Sequence, residues 1–202
     1  DWYNDRWKYD ADTSSPTFNK WTWMGGGYTG QAALYGTKGV PSVSNTPGNR
    51  AETSCTWVDD NGNFWLFGGQ ASLVGVLNDL WKYDPNPGSA TFNQWTWMGG
   101  DNVPQQPGVY GTKGVASASN RPGARNVYAS WKDSQGNFWL FGGQKLDGSS
   151  NSYQYNDLWR YEPSKGLWTW MSGDSITDPP AVFGTQCVES PLNVPPGRFE
   201  TR

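Results

Sequence analysis

Three arginines stand at the same place in a recurring phrase. Pro-Gly-x-Arg begins at Pro47, Pro122 and Pro196, which puts guanidinium groups at Arg50, Arg125 and Arg198. A guanidinium is a planar fork of donors that matches a carboxylate, so these are candidate receptors for an acidic partner. The plainer alternative is that each bonds the backbone of a neighbouring repeat or an aspartate. A second phrase, Tyr-Gly-Thr-Lys-Gly-Val, begins at Tyr35 and Tyr110 and supplies Lys38 and Lys113. These four residues are candidate binding contacts in a solvent-facing loop. A third version, beginning at Phe183, carries Gln186 in place of the lysine. Trp95 and Trp97 offer faces on which a sugar ring can stack, but their recurrence favours a packing role.

Other oxygen-rich stretches read as turns. Asp59-Asp60-Asn61-Gly62-Asn63 faintly resembles a calcium loop, yet it is short and lacks the distal glutamate of an EF-hand. Its second copy, Asp133-Ser134-Gln135-Gly136-Asn137, is less acidic. Asn78-Asp79 and Asn156-Asp157 read as turn-shaping pairs whose side-chain oxygens bond nearby amides.

Composition removes whole classes of chemistry. Histidine is absent, so no histidine base, triad or metal ligand lies in this stretch. No catalytic residue, metal or cofactor is expected. The two cysteines, Cys55 and Cys187, do not define a disulfide framework. They stand far apart in repeat order, so a bond between them is not expected. Fifteen basic and 18 acidic residues give a net charge of −3 and no basic stripe for nucleic acid. No apolar run approaches the ~18 residues that span a bilayer.

The elements that must position these residues are strands. Fourteen Trp and 10 Tyr favour strands, and 26 Gly and 14 Pro favour turns. GNFWLFGGQ occurs at Gly62–Gln70 and again, unchanged, at Gly136–Gln144, 74 residues later. Three further phrases share that period: NDRWKYD, NDLWKYD and NDLWRYE from Asn4, Asn78 and Asn156; WTWM from Trp21, Trp95 and Trp168; and the loop phrase above. The chain is a repeat array. Each repeat predicts four antiparallel strands: a short one after Pro-Gly-x-Arg (126–133 in the second copy), FWLFGG, DLWKYD and WTWM. A loop of variable length separates FWLFGG from DLWKYD. Trp81 and Tyr83 share one face of their strand, and Leu80 and Lys82 the other. The Gly68-Gly69 pair permits positive φ and the close approach of another backbone.

On these residues the chain resembles the kelch-repeat family, within the wide superfamily that includes the galactose oxidase propeller. The resemblance rests on the double glycine after the second strand (Gly142-Gly143), then Tyr161 and Trp168 at set spacing, with Gly68-Gly69, Tyr83 and Trp95 one repeat earlier. It implies an all-β, kelch-type β-propeller of four-stranded antiparallel blades. The chain then divides into a partial blade at 1–46, blades at 47–121 and 122–195, and the start of another at 196–202. A kelch repeat is about 50 residues; this one is longer, and the excess lies mostly between WTWMGG and Pro-Gly-x-Arg. That extra loop either packs identically on every blade or helps to build a binding face. The resemblance also implies that the arginines enter the innermost strand, where they line the top of a central channel.

The function expected is that of a non-enzymatic interaction module of a secreted or cell-surface protein. Its partner would be a protein or a glycan held by loops on the propeller face. Two alternatives remain: a segment of an extracellular filament or appendage, or part of a carbohydrate-active oxidase or isomerase whose catalytic residues lie elsewhere. The remaining blades would come from the same polypeptide or from further copies of the chain. Neither nucleic acid nor membrane insertion is expected.

Overall fold

The computed structural model describes residues 2–27, 29–51, 56–71, 75–147 and 151–199. The described residues form antiparallel β-sheets and no helix. An N-terminal hairpin pairs β1 (Arg6–Tyr9) with β2 (Trp21–Gly25). A central sheet follows. Its one edge is made of β3 (Arg50–Ala51) and β4 (Thr56–Val58), both on β5 (Phe64–Ala71), and β6 (Gly75–Tyr83) and β7 (Trp95–Gly99) complete it. The C-terminal sheet has β8 (Ala129–Lys132), β9 (Phe138–Phe141), β12 (Leu158–Glu162) and β13 (Leu167–Ser172) in that spatial order. Between β9 and β12, a small hairpin pairs β10 (Gln144–Leu146) with β11 (Ser152–Gln154). None of these sheets closes on itself.

One detail differs from the sequence expectation. Much of the stretch before Asn-Asp is strand rather than loop. In the central sheet β5 extends to Ala71 and β6 begins at Gly75, with Gln70 opposite Val76, and in the next repeat the β10–β11 hairpin stands in this place. The physical reason is local alternation: Lys145 and Tyr153 face each other, and the Asp147 amide donates to the Asn151 carbonyl at 3.0 Å. Cys187 is an exposed free thiol, and Cys55 lies outside the described residues.

The register separates the aromatic residues into two faces. Phe64 lies opposite Tyr83, Leu66 opposite Trp81, and Tyr83 opposite Trp95 in the central sheet. That face carries Trp81, Tyr83 and Trp95 as its own cluster. The other face carries Trp57, Trp65, Phe67 and Leu80, and it packs on Phe138, Leu140, Trp159, Tyr161 and Trp168 of the C-terminal sheet. Phe138 is the centre of this junction. Its ring stacks on Trp57 at 5.0 Å and meets Trp65 edge-on at 5.4 Å. Phe67 meets Trp168 edge-on at 5.5 Å. Such pairs add about 0.5–1.5 kcal/mol each beyond the area they bury.

Backbone contacts stitch the repeats where the glycine pair ends β5. Gly68 has φ +57°, and a Cβ there would lie 2.7 Å from the Leu77 carbonyl and 2.8 Å from that of Arg125. The adjacent Gly69 amide donates to the Arg125 carbonyl at 2.9 Å. The pair therefore admits the Arg-bearing segment of the next repeat. Gly143 does the same for Arg198, with its amide 2.9 Å from that carbonyl.

The long loops cover sheet edges. β7 has β6 on one side; on the other, the Gly39 amide donates to the Trp97 carbonyl at 2.8 Å and the Ser42 amide to the Trp95 carbonyl at 3.2 Å. One repeat on, the Gly114 amide reaches the Trp170 carbonyl at 2.7 Å and the Ser117 amide that of Trp168 at 3.3 Å. Asn45 and Asn120 add side-chain donors to the Trp95 and Trp168 carbonyls. An uncovered strand edge is a template for aggregation, and this cover accounts for much of the length by which the repeat exceeds about 50 residues.

Within these loops Gly39 and Gly114 sit at φ +79° and +81° in open space, and Cys187 occupies the same place at φ +62°. A side chain in the left-handed region costs about 1–2 kcal/mol, against about 0.5–1 kcal/mol that glycine costs through chain entropy. Cys187→Gly should therefore raise stability by about 0.5–1 kcal/mol, read as a higher denaturant midpoint at unchanged slope.

Candidate functional site

Arg125 is wholly buried and every nitrogen of its fork is engaged. Nη1 and Nη2 donate to the two carboxylate oxygens of Asp157 at 2.5 and 2.8 Å. Nη1 also donates to the Gly142 carbonyl, and Nε to that of Gly123, both at 2.9 Å. Asp157 accepts two further bonds, from the Tyr110 hydroxyl and the Trp159 indole, both at 2.8 Å. The ring of Tyr155 covers the guanidinium at 3.9 Å. The central sheet repeats the arrangement. Arg50 grips Asp79 with two bonds of 2.9 and 3.0 Å, and Tyr35 and Trp81 donate to the same carboxylate.

The local sequence explains the convergence. In Asn-Asp-Leu-Trp the alternation of the strand puts Asp157 and Trp159 on one side, so the indole reaches its neighbour's carboxylate. The double glycine lets the Arg-bearing segment lie close enough for the fork to meet it. Tyr110 arrives from the covering loop.

The electrostatics keep every partner in its useful state. Burial first, and then the Asp157 charge, pushes the Tyr110 hydroxyl above the ordinary tyrosine range. It remains a donor at any physiological pH. Burial also raises Tyr155. For Arg125 burial works against the charge, but the Asp157 carboxylate outweighs it and the guanidinium is held more firmly protonated than usual.

The structure thus brings Arg125 together with Tyr110, and Arg50 together with Tyr35. It gives both arginines the plainer of the two roles, with their forks closed on internal aspartates rather than open to an acidic partner. Lys38 and Lys113 point back onto their sheets. Their ammonium groups donate to the Gly100 and Gly173 carbonyls at 2.9 Å and lie over the rings of Trp97 and Trp170 at 4.3 and 4.4 Å. Arg198 is half-buried, and its amide donates to the Tyr155 carbonyl at 3.0 Å. No ion pair forms on it among the described residues.

Asp59 and Asp133 are turn residues. Asp133 accepts from the Gln135 and Asn137 amides and from the Trp139 indole. Burial nudges its carboxyl up, but these donors together bring it down to about 2. Among the described residues no group of three or more His, Cys, Asp and Glu side chains could hold a metal.

Above the buried cluster lies a cleft of about 730 Å³, walled by Tyr110, Tyr153, Tyr155, Lys145 and Asp147. Residues 175–177, just after β13, form its rim. A smaller cleft of about 530 Å³ occupies the equivalent place one repeat earlier, against Tyr35, Ala71 and Leu77. Of the sequence candidates, only Tyr35 and Tyr110 line these clefts. The aspartates that organise the clusters were read as turn-formers. Their signal was present, because Asp79 and Asp157 keep pace with Arg50 and Arg125 from repeat to repeat. Tyr153, Lys145 and Asp147 carried no repeat signal, since they belong to the segment that differs most between repeats. No protein-family model matches the chain, and no curated protein sequence matches it.

Proposed function

We propose that the two complete sheets are blades of a kelch-type β-propeller, and that the protein is a non-enzymatic interaction module of a secreted or cell-surface protein. The ligand class that fits best is a glycan, taken up in the cleft over Asp157. One observation carries this reading: a cleft recurs at the same end of both sheets, and in the C-terminal sheet its walls are three tyrosines, a lysine and an aspartate. Ligand sites are concave, largely aromatic and furnished with a few placed polar groups. Tyrosine supplies a flat apolar ring with a polar tip, which suits the C–H face and hydroxyls of a sugar. The engaged Arg–Asp pair beneath gives the floor rigidity rather than reactivity.

The test is binding to an immobilised panel of glycans, with Tyr153→Ala as the variant. Tyr153 stands on the β10–β11 hairpin and belongs to neither buried aromatic cluster, so its loss should leave the thermal midpoint unchanged. Glycan binding by the parent chain that falls at least about tenfold in the variant, a 1.4 kcal/mol effect, supports the reading. Binding that is absent, or indifferent to Tyr153, overturns it.

A further inference from the structure

The N-terminal hairpin is the counterpart of the outer half of each complete sheet. Trp7 lies opposite Trp23 as Trp81 lies opposite Trp97, and Tyr9 opposite Trp21 as Tyr83 opposite Trp95. In both complete sheets the strand equivalent to β1 is paired on its other side by the same sequence, Phe-Trp-Leu-Phe. Lys82 and Tyr83 face Trp65 and Phe64, and Arg160 and Tyr161 face Trp139 and Phe138. No strand takes that place beside β1 among the described residues.

What lies there is a groove of about 700 Å³, lined by Arg6, Lys8, Phe64, Tyr83, Pro85 and Phe92 among others. Its walls match the equivalent place one junction on. There the indole of Trp65 packs 5.4 Å from Phe138 and 5.7 Å from Tyr161. The repeat counterparts of Phe138 and Tyr161 are Phe64 and Tyr83, which form the groove wall. Phe64 is 43 % exposed, whereas Phe138 is fully buried. The groove is thus an indole seat beside an unpaired strand edge.

We propose that the β1 edge and this groove bind an extended strand of the Asn-Phe-Trp-Leu-Phe-Gly-Gly type, antiparallel to β1, supplied by a further repeat of this same kind. Its tryptophan lies opposite Lys8 and seats against Phe64 and Tyr83; its first phenylalanine lies opposite Tyr9. Backbone bonds along the edge supply affinity and the indole seat supplies register, as in other strand additions. A second intact copy of the chain is not the donor, because both of its Phe-Trp-Leu-Phe strands are interior and already paired on both sides. The inference rests on the equivalence of the repeats and is independent of the glycan cleft.

The test adds a synthetic peptide, GNFWLFGGQ with charged solubilising ends, to the 202-residue chain. Calorimetry should show saturable one-to-one binding, and the amides of Trp7 and Tyr9, which the pleat turns away from β2, should gain protection from hydrogen exchange. A scrambled peptide of equal composition, and one with its tryptophan replaced by alanine, should each bind at least about tenfold more weakly, the scale of a lost buried anchor. The Phe64→Ala protein should also bind the parent peptide more weakly. The peptide comparisons leave the protein unaltered, so they stand even if that variant folds poorly. Equal binding of the scrambled peptide, absence of binding, or protection that arises away from β1 overturns the proposal.

Discussion

Asp157→Ala should cost about 3–5 kcal/mol of folding stability, the loss expected when one partner of a buried ion pair is removed. The carboxylate satisfies four donors at once: two from Arg125, one from Tyr110 and one from Trp159. Without it the guanidinium remains as an unpaired charge with no access to water. A domain holds only about 5–15 kcal/mol in total, so the variant should be largely unfolded at moderate urea. Asp157→Asn preserves shape but not charge, and should fall between the alanine variant and the parent. Replacing both partners with apolar residues, as in Arg125→Met with Asp157→Leu, removes the stranded charge. It still orphans the Tyr110 hydroxyl, the Trp159 indole and two carbonyls, so recovery should be incomplete. The Arg121–Asp101 pair is a fair control. Its side chains are 34 % and 27 % exposed, and surface pairs of this kind contribute about 0–1 kcal/mol. Equilibrium unfolding in urea measures all four. A loss below about 1 kcal/mol for Asp157→Ala would show that the cluster does not hold the fold.

Phe138→Ala should cost a further large amount, about 3–5 kcal/mol, the range for emptying a buried aromatic site. Its ring joins two sheets, touching Trp57 and Trp65 on one and Tyr161 on the other. The cavity left between them should weaken the coupling of the sheets as well as the total. Unfolding followed by tryptophan fluorescence and by backbone circular dichroism should then separate into two transitions, where the parent chain shows coincident ones. The matched control is Phe64→Ala, the same residue at the same repeat position. Its ring is 43 % exposed beside the groove, so it has little packing to lose. A cost below about 1.5 kcal/mol is expected there. Equal costs at the two positions would mean that the residue type, and not the junction, sets the energy.

Much of this structure was legible in the sequence, and the parts that were not have two causes. The 74-residue period and the alternation in DLWKYD marked the strands and the shared face of Trp81 and Tyr83. Those features are local, because side-chain direction along a strand follows from its pleat alone. The fate of Arg50 and Arg125 was not local. Whether a recurring arginine faces solvent or a buried carboxylate depends on which segment the double glycine admits, and that contact joins residues 32 apart for Arg125 and Asp157. The β10–β11 hairpin escaped for a different reason. It lies where the repeats differ, so neither period nor phrase marked it, and only the pairing of Gln144 with Gln154 reveals it. The tyrosine-walled cleft is largely built from that same divergent segment.

The loops that bond to β7 and β13 also bear on how the chain is made. Each cover precedes the strand it protects: Asn45 bonds to Trp95 across 50 residues, and Asn120 to Trp168 across 48. At about 5–20 residues per second, a ribosome makes the cover some seconds before the strand. The outermost strand of each sheet therefore leaves the exit tunnel to find its partner already waiting. The opposite order would leave a bare tryptophan-rich strand exposed to other nascent chains on the same message for that interval. A circular permutant that begins in the turn after Asp59 places the loop bearing Asn45 after β7, and should thus lose yield during synthesis even where the finished molecule is equally stable.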